Sequence, residues 1–390
     1  MNQNVAGLQP EGAYRVMSKA ERLEENGRDV VHLEIGQPDY PTFPNITLAG
    51  VKALAEGKTD YNPSRGVREL RVAVANKVSE SRGTEVIPEE VVIGPGAKPL
   101  LFLTTIALLQ EGDRVLYPDP GFPTYRSMIE VAGGEPVPYH FQEEEDGFRI
   151  DMNELSNSLT PDTRLLLLNT PGNPLGNVIT KGSLKTVGGL LRDTSTAVLS
   201  DEIYSEMLYR GREHETILTR PGMKERTVMV DGFSKTYSMT GWRLGYAVMP
   251  KELARKMGYL LTHSVGCTAT FTQYAGIEAL EGPQGEVKRN LAKLEEKRYE
   301  LVDGLNGIRG VSCSKPKGAF YAFPDVSDFR MDEKELADYL LEEAGVAVLP
   351  GTAFGEGGEG YLRLCYASPR SELKKGLERI EEALSGLERE

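Results

Sequence analysis

A lysine set among small and aromatic residues has the clearest chemical meaning in this sequence. Lys235 lies in the segment DGFSKTYSMTGWRLGY, residues 231–246, together with Phe233, Tyr237 and Trp242. These neighbours predict a partly buried amine, and burial lowers the pKa of a lysine. A neutral lysine amine is the nucleophile that Schiff-base chemistry requires. The alternative for a lone lysine is a solvated position on the surface.

Two further features predict a site for a phosphate group. GPGAKP, residues 94–99, follows the aliphatic run VVIG and opens a helical pattern, so backbone N–H groups at Gly96, Ala97 and Lys98 can bind an anion. Arg243 carries a permanent charge and a planar fork of donors that can hold a phosphate through two hydrogen bonds. GPGAKP lacks the GxGxxG spacing, which gives little support to dinucleotide binding. A simple turn between strand and helix is the alternative for this motif alone.

Two polar residues follow aliphatic runs that are typical of buried strands. Asp201 ends AVLSD within SDEIY, and Asn173 lies in NTPGNPLG after RLLLL. A carboxylate at the carboxyl end of a parallel strand lies where ligands bind in α/β sheets. The alternatives are a helix N-cap for Asp201 and a turn position for Asn173, since Asn-Pro commonly begins turns.

SKTYSMTGWRLGY resembles the lysine segment of the class I and II aminotransferases, which are pyridoxal phosphate (PLP) enzymes of fold type I. One such motif would be weak, whereas eight in the family's order, spread over essentially the whole chain, are specific. The other seven motifs are GQPD (36–39), YNPSRGVREL (61–70), GPGAKP (94–99), PDPGFPTY (118–125), NTPGNPLG (169–176), SDEIY (200–204) and PGTAFGEGGEGYLRL (350–364).

The resemblance implies an α/β fold of the PLP-dependent transferase type I. We expect a large domain of residues 45–285 with a mainly parallel sheet and helices on both faces. Both chain ends, residues 1–44 and 286–390, would form a smaller α+β domain. The residue patterns agree, because short aliphatic runs alternate with helical stretches from residue 91 onward. Near the N-terminus we expect an amphipathic helix with an apolar face that includes Tyr14, and a strand over 30–35.

The resemblance also implies how the cofactor is held. Lys235 would bind PLP as an internal aldimine and, once freed by the substrate, would move the Cα proton as general base and acid. Asp201 would keep the pyridine nitrogen protonated, so that the ring acts as an electron sink. Tyr204 and Asn173 would hydrogen-bond the 3′ oxygen. Phe122 would stack on the ring, with ordinary core packing as its alternative. The phosphate would be bound by Gly96, Ala97, Lys98, Ser234, Arg243 and a second subunit's Tyr61.

Substrate binding and assembly follow from the same resemblance. Arg363 in GYLRL would clamp the substrate α-carboxylate in two hydrogen bonds, with the Gly36 backbone and Asn173 beside it. If Tyr61 reaches the phosphate of another subunit, the enzyme is a homodimer with shared active sites. A dicarboxylate substrate would need a second cation, and Lys98, Arg126, Arg15 and Arg65 are unranked candidates.

The sequence departs from the family pattern at three positions near the site. Leu175 replaces a common threonine, and Gly172 stands where close relatives often have histidine. Gly232 stands where many relatives have a phosphate-binding serine, and Ser234 is a candidate substitute. These changes leave the cofactor residues intact but bear on the substrate and on the reaction outcome.

The predicted function is therefore a PLP-dependent aminotransferase that moves an amino group from an L-amino acid to a 2-oxo acid, with pyridoxamine phosphate as the intermediate form of the cofactor. The first alternative is another PLP reaction on the same fold, such as β- or γ-elimination, replacement, oxidation or cyclisation. The second is a non-catalytic PLP-binding regulator. It would need a DNA-binding extension, yet the motifs fill the chain from residue 36 onward.

Composition excludes several other classes of protein. The 390 residues carry 45 basic and 58 acidic side chains, a net charge of −13, which disfavours binding to nucleic acid or anionic lipid. Cys267, Cys313 and Cys365 are far apart and form no CxxC pair, so a disulfide framework or a metal site is not expected. The N-terminus lacks a secretory pattern, and no apolar run of about 18 residues occurs. We therefore expect a cytoplasmic enzyme that does not bind membranes.

Overall fold

The computed structural model describes residues 3–8 and 10–389. Helices and strands alternate through much of this part of the chain. The helices are α1 Gln3–Ala6, α2 Gly12–Glu25, α3 Pro44–Ala55, α4 Arg68–Arg82, α5 Ala97–Leu108, α6 Thr124–Val131, α7 Met152–Ser158, α8 Lys181–Leu190, α9 Lys251–Ser264, α10 Thr270–Glu281, α11 Gly285–Gly307, α12 Glu333–Glu342 and α13 Arg370–Ser385. The strands are β1 Val31–His32, β2 Val91–Gly94, β3 Arg114–Pro118, β4 Glu135–Tyr139, β5 Phe141–Glu144, β6 Gly147–Ile150, β7 Thr163–Asn169, β8 Ala197–Asp201, β9 Thr227–Gly232, β10 Gly245–Val248, β11 Tyr321–Ala322, β12 Val346–Ala347, β13 Leu349–Pro350 and β14 Leu362–Cys365.

A seven-stranded sheet with the order β2-β10-β9-β8-β7-β3-β4 forms the centre of the described structure. Its strands run parallel except β10, which is antiparallel to both β2 and β9. Strand β7 shows why the sheet is covered on both sides. Leu165 and Leu167 belong to the core cluster that includes residues of α5 and α9, whereas Leu166 and Leu168 belong to the cluster that includes residues of α8. The predicted α/β fold class is confirmed.

Segments from both chain ends pair outside this sheet. Strand β1 is parallel to β12, with Val31 opposite Val346, and β14 is antiparallel to β11 and β13. Leu301 of α11 and Ile380 of α13 pack in the same core cluster as Val31. The expected division into residues 45–285 and the two chain ends stays a prediction.

The N-terminal elements differ from the expectation in two ways. The strand expected over 30–35 is limited to Val31–His32. In α2 the buried residues are Val16 and Ala20, one turn apart, while Tyr14 is 56% exposed. The predicted apolar face was wrong at Tyr14, because α2 packs through Val16 and Ala20 onto the cluster that contains Leu349. Within the part of the chain that the structure describes, no helix has the length and apolar character needed to cross a membrane.

Candidate active site

Loops at one edge of the large sheet carry several of the predicted site residues. Strands β2, β9, β8 and β7 run in the same direction. Gly96, Lys235, Asp201 and Asn173 lie at or just after the carboxyl ends of these four strands. Because the carboxyl ends of parallel strands meet at one edge, loops from distant parts of the sequence meet there, where α/β sheets bind ligands.

Lys235 lies in the turn after β9, and its amine contacts the backbone of the loop at Gly36. Nζ donates a 2.6 Å hydrogen bond to the Gly36 carbonyl oxygen. The amine is 5.9 Å from the centre of the Tyr204 ring and 5.7 Å from that of Phe320. Burial lowers the pKa of Lys235 to about 8, and the charge of Arg363 also lowers it. A sizeable fraction of this amine is therefore neutral in mildly alkaline solution.

The N-terminus of α5 faces the guanidinium group of Arg243. Gly96 is the N-cap of α5 and has φ of +97°; it has no side chain that could cap the first N–H groups of the helix. A Cβ at Gly96 would lie 2.5 Å from Nη2 of Arg243, so glycine leaves the space that the guanidinium occupies. Ala97 and Lys98 form the first turn of α5, and Ser234 adjoins Lys235. Free helix N–H groups beside an arginine fit a phosphate group.

Asp201 is a buried carboxylate at the end of β8. It accepts hydrogen bonds from the Tyr125 hydroxyl at 2.8 Å and from the Ile203 N–H at 3.2 Å. Burial raises the pKa of Asp201 to about 6, although both hydrogen bonds act in the opposite direction. A buried carboxylate is stabilised by an adjacent cation, and a protonated pyridine nitrogen would supply one. Tyr125 lies in the motif PDPGFPTY, but no pattern in the sequence singles it out.

Arg363 lies in β14 with its guanidinium group buried. Nη2 donates to the Glu34 carbonyl oxygen, and Nη1 donates to Oδ1 of Asn173 at 3.4 Å. The guanidinium carbon is 4.5 Å from the centre of the Tyr321 ring. Among the described residues, Nε of Arg363 is buried and has no hydrogen-bond partner. An arginine with unused donors, placed against Asn173, fits the clamp for a carboxylate.

Tyr321 joins several of the predicted residues, and sequence reasoning missed it. Its hydroxyl lies 2.6 Å from the Tyr204 hydroxyl. A Cβ at Gly36 would lie 2.1 Å from the same Tyr321 oxygen, so the loop can approach Tyr321 only with glycine at that position. Tyr321 follows Tyr204 by 117 residues. No local spacing in the sequence indicates that these two tyrosines meet.

Phe122 is half-buried and lies beside the N-terminal turn of α5. Its ring packs edge-on against Tyr125, with 5.6 Å between ring centres. Nζ of Lys98 is 5.0 Å from the centre of the Phe122 ring. Lys98 also donates a hydrogen bond to the Glu11 carboxylate, a contact that the sequence did not predict.

The four candidate cations for a substrate side chain differ in their surroundings. Lys98 contacts Phe122 and is close enough to Lys235 that its charge lowers the pKa of that lysine. Arg126 forms an ion pair within α6 at 2.8 Å, and Arg65 donates to the carbonyl oxygen of Glu89. Arg15 is exposed on α2. Lys98 and Arg126 both pair with a carboxylate, so the effect of Lys98 on Lys235 is the observation that favours Lys98.

Tyr61 stands apart from the other predicted residues. Its side chain is 97% exposed, so it makes no packed contact with the site of its own chain. An open groove on the same chain is lined by Val51, Leu54 and Trp242 and extends to Arg243. Among the other predicted residues, Lys98 lies against Phe122, Gly96 lies against Arg243, and Asn173 contacts Arg363.

Two departures from the family pattern have a steric reason. A Cβ at Gly232 would lie 3.1 Å from the Cα of Gly245 in the paired strand β10, so a serine there would require the strands to shift. A Cβ at Gly172 would lie 2.2 Å from Oδ1 of Asn177. Both glycines therefore permit close packing within this chain.

A buried network of charged residues lies next to Asp201, at the ends of strands β8 and β9. Arg82 of α4 donates to Glu202 at 2.9 Å and to Asp231 at 3.0 Å, and so connects the residue directly after β8 with β9. His214 contacts Glu202 at 2.7 Å. Burial alone would raise the pKa of Glu202, but His214 and Arg82 lower it to about 2. The described residues contain no group of three or more side chains placed to hold a metal ion.

Comparison with known proteins places this geometry in a family. The model of the aminotransferases of class I and II matches residues 28–380. The chain belongs to this family. An aspartate aminotransferase of Pyrococcus horikoshii is 38% identical over 373 residues, which are 95% of this chain and 94% of that protein. Aromatic-amino-acid aminotransferase 2 of Thermococcus litoralis is 37% identical and covers 93% of each chain.

Solved structures agree with this membership. The crystal structure of the aspartate aminotransferase from Rhizobium meliloti superposes with a TM-score of 0.95 at 32% identity and covers 100% of this chain and 99% of that one. The predicted family and the predicted enzyme class, an aminotransferase, are confirmed. The individual site residues stay predictions.

Proposed function

We propose that this aminotransferase uses PLP, held at Lys235, to move an amino group from an L-amino acid to a 2-oxo acid. The observation that carries the proposal is the position of the Lys235 amine. It is partly buried, its pKa is lowered to about 8, and it lies in the loop cluster that also contains Asp201 and Arg243. An aminotransferase needs a neutral amine, an anion site and a buried carboxylate in one place, and these residues supply all three.

The cofactor's contacts follow from the donors present. The first N–H groups of α5, with Arg243 and the Ser234 hydroxyl, would bind the phosphate. Asp201 would hold a proton on the pyridine nitrogen, and the hydrogen bond from Tyr125 would orient its carboxylate. Phe122 would cover one face of the ring. When bound, PLP supplies an electron sink for the pair of electrons left on the substrate Cα.

Lys235 and Arg363 then act on the substrate, while Tyr204 would contact the cofactor. Arg363 binds the α-carboxylate through its free donors and orients the Cα–H bond. Lys235 takes the proton from Cα at Nζ and later returns a proton from the same atom, as general base and general acid. The hydroxyl of Tyr204, hydrogen-bonded to that of Tyr321 at 2.6 Å, would donate to the 3′ oxygen of the cofactor. The Gly36 carbonyl, which accepts from Lys235, keeps the free amine in position.

We further propose a homodimer in which a second copy of this chain covers the groove lined by Val51, Leu54 and Trp242. A side chain that is 97% exposed, as Tyr61 is, would gain a role only from another chain. The groove is largely apolar and reaches Arg243, the predicted phosphate ligand, so a second copy seated there could bring its own Tyr61 to that phosphate. The cytoplasmic location stays a prediction.

A half-reaction tests the proposed function. The holoenzyme is mixed with single L-amino acids in the absence of any oxo acid, while the cofactor absorbance and the released product are recorded. We expect at least one amino acid to convert the cofactor stoichiometrically to its amine form and to release one equivalent of 2-oxo acid. Release of ammonia, or of a product shortened at the side chain, without formation of the amine form would contradict transamination and support the other PLP reactions.

A further inference from the structure

Glu11, the residue that precedes α2, places a carboxylate at the candidate active site. Oε1 of Glu11 accepts a hydrogen bond from Nζ of Lys98 and another from Oγ1 of Thr124 at 3.0 Å. Lys98 lies in the first turn of α5, and Thr124 begins α6. The Glu11 side chain is 25% exposed, and that of Lys98 is 42% exposed. A carboxylate of this chain therefore already neutralises Lys98, the cation beside Phe122.

The residues after Glu11 pack close to the predicted carboxylate clamp. Gly12 lies against Ala353, since a Cβ at Gly12 would be 2.8 Å from that residue's Cβ. Val16 packs in the same cluster as Phe354. The Phe354 ring in turn lies 4.9 Å from the Arg363 guanidinium carbon. The first turns of α2 thus pack beside the predicted carboxylate clamp, while Glu11, directly before α2, contacts Lys98.

Lys98 and Arg363 both influence the Lys235 amine electrostatically. The charges of both lower the pKa of Lys235. Lys98 also lies in the first turn of α5, 5.0 Å from the centre of the Phe122 ring that is predicted to cover the cofactor. A substrate whose α-carboxylate is bound by Arg363 and whose Cα lies at Lys235 would therefore have Lys98 as a nearby cation for a second carboxylate. That carboxylate would meet Glu11, which holds the same ammonium group and carries the same charge.

We propose that Glu11 determines specificity by competing with the substrate's side-chain carboxylate for Lys98. The inference rests on the proposed function and names its substrate class. An amino acid with an uncharged side chain leaves the Glu11–Lys98 pair intact and is the preferred donor. A dicarboxylic substrate binds only when it displaces Glu11 from Lys98, and so it binds more weakly.

Binding of two matched acids to the holoenzyme tests whether Glu11 competes for Lys98. Succinate and butyrate have the same length and differ by one carboxylate, and their dissociation constants can be read from the cofactor's absorbance without turnover. We expect Glu11→Gln to tighten succinate binding by about fivefold or more, because the competing charge is gone, while butyrate binding changes less than about twofold. Glu21→Gln removes the same charge from an exposed position of α2 and should change neither constant.

Repeating the Glu11→Gln substitution in a variant without Lys98 shows whether the effect on succinate binding depends on Lys98. In Lys98→Met holoenzyme, adding Glu11→Gln should leave the succinate constant unchanged within about twofold, because the contested cation is absent. Equal tightening with and without Lys98, or no tightening by Glu11→Gln, overturns the inference. Turnover of amino acids by the same wild-type preparation separates the two proposals. An active enzyme without the Glu11 effect contradicts the specificity role alone, and an enzyme that transaminates no amino acid contradicts the proposed function.

Discussion

At Lys235, burial and the neighbouring cations lower the pKa of the amine in the same direction. Asp201 shows the opposite case, because burial raises its carboxyl pKa to about 6. These two shifts are what a cofactor site needs, since the free amine must be neutral and the buried carboxylate must gain a cation. Tyr125 orients the Asp201 carboxylate, and Tyr321 orients the Tyr204 hydroxyl, each through a hydrogen bond.

Asp201→Asn should stabilise the apoprotein while it impairs the enzyme. The folded-state pKa of Asp201 is raised, so the folded state holds its proton more tightly than the unfolded state, and stability falls as pH rises from about 4 to about 6. Asparagine does not titrate, so the stability of the variant does not fall in this way as the pH rises. We expect it to be more stable than apo wild type at pH 8 by about 1–3 kcal/mol, with no difference near pH 4.

Urea unfolding of both apoproteins at several pH values measures this difference. Asp231, whose pKa is also raised to about 6 by burial, contributes the same slope to both proteins and so cancels. The holoenzyme should behave oppositely, with most activity lost, because an amide cannot hold the ring nitrogen protonated. Parallel pH profiles for the two apoproteins, or near-wild-type turnover by the variant, would count against the role of Asp201.

At the scale of elements, the turn between β2 and α5 is built around one glycine. Gly96→Ala would place a Cβ against Arg243 and force φ of +97° on a residue that disfavours it. We expect PLP to bind at least about tenfold more weakly, as judged by absorbance titration. The added Cβ would force the Arg243 guanidinium away from the N-terminus of α5, where the phosphate is predicted to bind. Gly112→Ala is the matched control, since φ is +80° there and a Cβ would meet nothing within 4 Å. Equal loss of PLP affinity in both variants would show that backbone strain lowers the affinity, and that the contact of the new Cβ with Arg243 does not.

The elements that present the site could largely be predicted because their signals are local. Aliphatic runs form strands β2, β7, β8 and β9. Each of these runs leads into one of the motifs that carry the site residues. Strand β10 was not predicted, since nothing in GYAV specifies that it lies antiparallel between β2 and β9. The contacts of Glu11 with Lys98, of Tyr125 with Asp201 and of Tyr204 with Tyr321 join residues 87, 76 and 117 positions apart. Such pairings follow from the packing of the whole chain and leave no trace in local spacing.

At the scale of the whole molecule, the exposed Tyr61 predicts sites shared between two chains. Tyr61→Ala and Lys235→Ala should each impair the enzyme, the first most clearly at limiting PLP. In a mixed dimer one site would collect both substitutions and the other would have neither. Activity at limiting PLP should therefore reappear when the two variants exchange subunits. If heterodimers form and activity does not return, Tyr61 does not act across an interface.

Chemical trapping of the cofactor tests the central claim, that Lys235 is the residue that binds PLP. The holoenzyme is reduced with borohydride, digested, and its peptides are identified by mass spectrometry. We predict one modified lysine, Lys235, at about one equivalent per chain, and no labelled peptide from Lys235→Ala treated in the same way. Lys98 and the other lysines should remain unmodified. A stable label on a different lysine, with Lys235 recovered unmodified, would contradict the account.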